Sequence, residues 1–249
     1  MKYVSGVAAV LAGVILITAV AAAVVLGSAP AHTESSAQAV ADTTEVAVNP
    51  YQAPLEQMVD GFAGRYSDTT GLYVIDLTHD AQASHNESQQ FVAASLYKLF
   101  VAYVVLDAVD TGERALSDIM QETGTTVEYC LDVMITVSDN ACGIALGKLV
   151  GWQTIDERLW DEGYGDTTLN NYDTAGNLVT DKLTTPRDIM TLLRHLYDGT
   201  LLSATSTEYF MTLLEQQTLN YALPTGLDGG VSFAHKTGAL DNISHDAGF

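Results

Sequence analysis

The segment that follows Ser95 leaves the chain little freedom. Leu99, Phe100, Val101, Ala102, Val104, Val105, Leu106 and Val109 run almost without a polar break until Gly112 stops them. A helix that is apolar on all sides is buried in the middle of a domain, not laid on its surface. Whatever stands at its N-terminus is therefore held inside the protein. What stands there is Ser95-Leu96-Tyr97-Lys98. Residues three apart on a helix share a face, so Lys98 Nζ is expected to reach Ser95 Oγ. A serine hydroxyl is a weak nucleophile and needs a base beside it. Burial, and a second cation nearby, lower a lysine pKa toward the neutral amine that could be that base. A helix N-terminus also favours developing negative charge. Alone, an S-x-x-K reads as a capped helix with a surface lysine. Here that reading fails, because the helix has almost no solvent face to offer Lys98.

Around this helix the periodicities alternate between strand and helix. Pro54–Tyr66 has helical apolar spacing (Leu55, Met58, Val59, Phe62). Gly71–Leu77 alternates and is rich in β-formers. A polar turn over Thr78–Ser84 and a second short strand up to Phe91-Val92 would complete a hairpin. Val127–Val137, Ala141–Val150, Thr154–Trp160 and Glu208–Glu215 read as helices. Thr184-Thr185-Pro186-Arg187-Asp188 is a helix start, with a Thr cap and Pro in the first turn. Gly163–Asp181 is a polar loop. Val231–His235 is predicted as a strand that ends before Lys236-Thr237-Gly238. Strands, then many helices, then strands make an α/β (α+β) domain: an antiparallel sheet layer with flanking helices plus a helical lobe.

Outside the domain the chain is simpler. After Lys2, Val7–Leu26 forms a 20-residue apolar run, long enough to cross a bilayer as a helix. Ala29-Pro30-Ala31 and Ala37-Gln38-Ala39 are small-residue sites of the kind a signal peptidase cuts. Residues 1–31 are thus expected to be a signal peptide or a membrane anchor, and both readings stand. Residues 32–49 read as a linker and 50–249 as the domain, which places the domain outside the cytoplasmic membrane, secreted or anchored. Asp and Glu total 31 against 10 Lys and Arg, a net charge of −21. Such a surface repels nucleic acid. Two cysteines in an exported chain, Cys130 and Cys142, either pair as a disulfide or remain as buried thiols. No His/Cys cluster has ligand spacing, so neither metal nor cofactor is expected, and a monomer is the simplest state.

Two further short patterns follow the first in order: Ser138-Asp139-Asn140 and Lys236-Thr237-Gly238. By chance an S-x-x-K occurs about once in a few hundred residues and a given tripeptide about once in several thousand. All three in this order, with Phe91-Val92-Ala93-Ala94 before the first and Ala234-His235 before the last, resemble the superfamily of class A β-lactamases and penicillin-binding proteins, especially its β-lactamase-like branch. The resemblance covers most of Pro54–Phe249. It implies that Ser95 is the nucleophile and Lys98 its base, and that Ser138 relays the proton to the leaving nitrogen. It gives Asn140, Lys236, Thr237 and Gly238 to the substrate. It also implies an oxyanion hole formed by the backbone N–H groups of Ser95 and Ala239.

The chain departs from that family in three places. Class A enzymes carry a glutamate on an Ω-shaped loop that activates the deacylating water. No glutamate occurs between Gly163 and Thr184. One alignment puts Asp166 at that position. The other, which keeps the four-residue offset to Asn177, puts Asp173 there. A plain solvated loop acid is the alternative for both. The segment between Lys98 and Ser138 is short, which predicts a more open site. The chain stops 11 residues after Gly238, where family members continue with strands and a helix, so part of the sheet is expected to be missing. The resemblance implies a serine hydrolase that forms an acyl-enzyme on β-lactams or on a peptidoglycan D-Ala-D-Ala peptide. A carboxypeptidase or penicillin-binding protein that deacylates slowly, and a non-catalytic wall-binding sensor, are the alternatives.

Overall fold

The computed structural model describes residues 8–15, 48–66, 69–170, 177, 181–228 and 230–249. Its elements in chain order are β1 (Ala8–Ile15), α1 (Gln52–Tyr66), β2 (Gly71–Asp76), β3 (Ala81–His85) and β4 (Phe91–Val92). A 3-10 turn (Ala94–Leu96) leads into α2 (Tyr97–Asp110). Then come α3 (Val127–Thr136), α4 (Asn140–Val150), α5 (Trp152–Asp161), β5 (Leu183–Thr184), α6 (Pro186–Tyr197), α7 (Ala204–Glu215), β6 (His235–Leu240) and β7 (Ile243–Gly248).

The apolar segment after Ser95 is the central helix. Eleven of the 14 residues of α2 are buried, including Lys98. Leu99, Phe100, Val101, Ala102 and Val105 have no exposure at all. Helices α3 to α7 supply the rest of this core, and β2 divides two clusters by its alternation. Tyr73 and Ile75 face the main core, while Leu72 and Val74 face α1 through Val59, Leu55 and Phe62. That is the period-two rule of a strand covered on both sides. The cap expected for α6 is present: Thr185 Oγ1 accepts from Asp188 N (3.1 Å), with Pro186 in the first turn.

The sheet has five strands in the order β3-β2-β1-β7-β6. The β2–β3 and β6–β7 pairs are antiparallel, and β1 runs parallel to both neighbours. Sequence reading puts Ala8–Ile15 inside a leader that crosses the membrane as a helix. In the structure this stretch is a strand, and no helix among the described residues is long and apolar enough to cross a membrane. The run fits both settings because a central strand between two neighbours and a membrane helix make the same demand for unbroken apolar sequence.

Two expectations are corrected. The hairpin partner of β2 is β3, which falls partly in the stretch read as a polar turn; Phe91-Val92 pairs instead with Leu183-Thr184. Ala81 and Ala83 are buried while Gln82 and Ser84 are exposed, and alanines give a weak apolar signal. Lys236-Thr237-Gly238 also lies within a strand and does not follow one. Before it, Ala234 is tied to β7's end, exchanging two bonds with Phe249 (2.9 Å each).

Close packing at Gly147 of α4 offers a check. A Cβ there would stand 2.2 Å from ring atoms of buried Trp152. Gly147→Ala gains about 1 kcal/mol of helix propensity, but overpacking of this kind costs about 1–3 kcal/mol. A lower urea midpoint is expected; a raised midpoint would contradict this packing.

Candidate active site

Three elements converge on one hydroxyl. Ser95 sits in the 3-10 turn at the head of α2, and one turn on, Lys98 Nζ lies 3.1 Å from Ser95 Oγ. Ser138 ends the link between α3 and α4. It holds a left-handed φ of 61°, and so does Ala94 (φ 45°), just before Ser95. Non-glycine residues in that region cost about 1–3 kcal/mol each and persist only where the surroundings fix them. At Ser138 those surroundings are clear. Asp139 Oδ1 caps α4 by accepting from Cys142 N (2.7 Å), which frees Ser138 to face inward. Cys142 is bridged to Cys130 of α3, with Cα atoms 4.9 Å apart, so a covalent link braces the loop from behind.

Lys98 Nζ donates to Ser138 O (2.6 Å), Ser138 Oγ (3.1 Å) and Asn140 Oδ1 (2.7 Å) as well as to Ser95. Lys236 Nζ, from β6, reaches the same Ser138 Oγ at 2.9 Å and Thr237 O at 2.8 Å. Both lysines have no solvent exposure. Their amines touch one hydroxyl, so they lie within the roughly 6 Å over which like charges disfavour each other. Burial pushes Lys98 down to about 8, opposed by the Asp139 carboxylate. Burial and the charge of Lys98 push Lys236 down to about 7, opposed by Asp246. For Lys98 this is on the order of 3 kcal/mol of bias toward the neutral amine.

The strand edge supplies the rest. Because Ala234 and Phe249 exchange both of their bonds, pairs alternate along the ladder. Thr237 and Ala239 fall in the non-hydrogen-bonded pairs with Asp246 and Ser244. Their N–H and C=O groups thus point off the free edge of the sheet. Gly238 is where the strand meets the turn that carries Ser95: a Cβ would stand 3.2 Å from Ser95 N and 3.3 Å from Ala93 O. Ser95 and Ala239 both line one cleft of about 240 Å³, with Tyr97, Asn140, Ile144 and Lys182 among its walls.

The two candidate loop acids separate here. Asp173 lies outside the described residues. Asp166 is exposed, its backbone carbonyl accepts from Gln90 Nε2 (2.8 Å), and it does not line the cleft. Two residues absent from the sequence reading hold this side. Lys182 Nζ donates to Leu169 O (2.5 Å) and stands 3.6 Å over the Trp152 ring. Asp156 accepts from Leu169 N (2.7 Å) and Asn170 N (2.8 Å). A lysine in a polar loop and an acid on an amphipathic helix carry no sequence pattern. Among the described residues no cluster of His, Cys, Asp or Glu could hold a metal ion.

A buried helix headed by serine, a helical lobe and an antiparallel strand edge define a β-lactamase/transpeptidase-like α/β enzyme. The sequence model of the Beta-lactamase enzyme family matches residues 54–249, and the chain belongs to that family. Among solved structures it is similar to PBP-A, at 27% identity and a TM-score of 0.69, covering 78% of this chain and 80% of that one. A point mutant of PBP-A, solved as an acyl-enzyme complex with penicillin G, matches at 26% identity and a TM-score of 0.69, covering 79% and 81%. A β-lactamase from Sphaerobacter thermophilus shares the fold, at 23% identity and a TM-score of 0.62, covering 79% and 81%. No curated protein matches the chain.

The lysine pair gives a signed pH expectation. Lys98 can take a proton only as the neutral amine, so the pair must have lost one proton, and acylation should fall as pH drops below about 7, where both amines are charged. Lys236 is useful to an anionic substrate only when charged, so loss of the second proton should also slow acylation. Stopped-flow acylation rates should trace a bell with both limbs near neutrality. A rate flat from pH 6 to 9 would contradict this assignment.

Proposed function

We propose that this protein is a serine hydrolase that forms an acyl-enzyme on Ser95 with β-lactams or with a peptidoglycan D-Ala-D-Ala amide. The observation that carries the reading is the pair of distances from Lys98 Nζ and Lys236 Nζ to Ser138 Oγ, 3.1 and 2.9 Å, with Ser95 Oγ 3.1 Å from Lys98. Neutral Lys98 takes the Ser95 proton as Oγ attacks the carbonyl carbon. The N–H groups of Ser95 and Ala239 receive the oxyanion, worth about 3 kcal/mol per donor. The C–N bond breaks, and the proton passes through Ser138 to the leaving nitrogen. Lys236 and Thr237 bind the substrate carboxylate and Asn140 its amide. Water then cleaves the ester and restores the serine. No metal or cofactor enters this scheme.

The deacylation step favours a second reading. Every described partner of Lys98 is Ser95, Ser138 or Asn140, and Asp166 contacts Gln90. A base for the deacylating water would have to come from Asp181, which lines the cleft with Ser95, or from Asp173. Without it the protein traps penicillin and releases it slowly, as a penicillin-binding peptidase or a sensor would. Export through residues 1–31 belongs to both readings, supported by Lys2 and the apolar run behind it.

One time course tests this. A fluorescent penicillin should label the protein covalently at one site, and Ser95→Ala should abolish the label. Nitrocefin turnover that outlasts one equivalent favours the β-lactamase; a label that persists for many minutes favours the peptidase or sensor. An unlabelled parent protein contradicts the proposal.

A further inference from the structure

The hairpin β6–β7 meets the nucleophile's approach at two points, and the two points face each other across the ladder. Gly238 is cross-strand partner to His245. By the alternation set by Ala234 and Phe249 they form a hydrogen-bonded pair, and paired residues project to the same face. On that face Gly238 offers no side chain, so the strand closes to within contact of Ser95 N and Ala93 O. Its partner offers a long one: His245 Nε2 lies 2.8 Å from the carbonyl oxygen of Val92. His245 is only 2% exposed.

Val92 is the last strand residue before the turn that carries Ser95. Its neighbour Ala93 donates to Lys182 O (2.8 Å), and Ala94 then takes its left-handed φ. Three consecutive residues are thus fixed by three separate devices, and the His245 bond is the one that ties the run to the hairpin carrying Ala239. A carbonyl can only accept, so Nε2 must carry the proton. Nδ1 is buried and has no partner among the described residues. Burial holds the ring's pKa below the usual value, against the carbonyls of Val92 and Ser244, so the neutral ring with its proton on Nε2 is the form that makes this bond.

We infer that His245 is a positioning residue for the acylation step: its Nε2–H bond to Val92 O sets the spacing between the Ser95 and Ala239 N–H groups that receive the oxyanion. This rests on the reading of Ser95 as nucleophile. The bond acts on the transition state more than on bound substrate, because the oxyanion forms only as Ser95 attacks.

The test uses three variants of the full chain. Gln carries an N–H donor the same number of bonds from the backbone as His Nε2, Asn carries it one bond short, and Leu carries none. Pre-steady-state labelling with a fluorescent penicillin separates the initial binding constant from the acylation rate constant. His245→Leu and His245→Asn should acylate on the order of 10- to 100-fold more slowly, with initial binding changed less than about twofold. His245→Gln should recover to within a few fold of the parent. The final labelled fraction reports how much of each variant is folded, and the Gln and Asn pair decides the matter if Leu does not fold. Gln and Asn slowed equally, or neither slowed, overturns the inference while the parent still labels at Ser95. A parent that does not label at Ser95 overturns the functional reading and this inference with it.

Discussion

Two lysine amines are buried against one serine hydroxyl, and most of the domain exists to hold them there. Lys98 and Lys236 have no exposure, and both reach Ser138 Oγ. Buried charges are costly unless hydrogen-bonded, and here Ser138 O, Asn140 Oδ1 and Thr237 O complete their shells. The arrangement needs a backbone carbonyl and a hydroxyl from the same residue, so Ser138 adopts a φ that a serine otherwise avoids. That strain is held by the Asp139 cap on one side and the Cys130–Cys142 bridge behind it. A loop this short, closed by a bridge spanning 12 residues, gains on the order of 3 kcal/mol relative to the open chain.

Much of this is legible in the sequence for one reason: α2 has no polar face. That forces Lys98 inward and turns a weak four-residue pattern into a site. The spacing of the other two motifs then names Ser138, Asn140 and Lys236; the structure brings Ser138 and Asn140 to Lys98, and Lys236 to Ser138. What is not legible depends on pairing between distant segments. The partner of Phe91-Val92 lies far along the chain at Leu183-Thr184, and no local pattern announces it. Strand β3 is built on alanines, whose alternation is faint. His245 sits in a segment whose sequence reads only as the beginning of a strand; its role follows from the register with Gly238, which the sequence does not contain. The leader segment shows the opposite difficulty, since one apolar run satisfies two burial environments. Residues 8–15 cannot lie in a membrane and between β2 and β7 at the same time.

The family membership and the site differ in what they decide. Residues 54–249 belong to the β-lactamase enzyme family, whose fold is shared by relatives of about a quarter identity. Fold alone does not separate a hydrolase from a protein that stays acylated. The separation rests on the loop between Asn170 and Lys182. Its two ends are tied down by Asp156 and by Lys182 itself, and Asp181 and Lys182 stand side by side on the wall of the cleft.

The central claim is that Lys98 is buried beside Ser95 and loses its proton near neutrality. A nitrogen-15 NMR titration of the lysine side chains, with Lys98→Arg to assign the resonance, reads this directly. One lysine resonance, lost in that variant, should titrate near 8. All lysines titrating near their ordinary value of about 10.4 would place that amine in water and contradict the account.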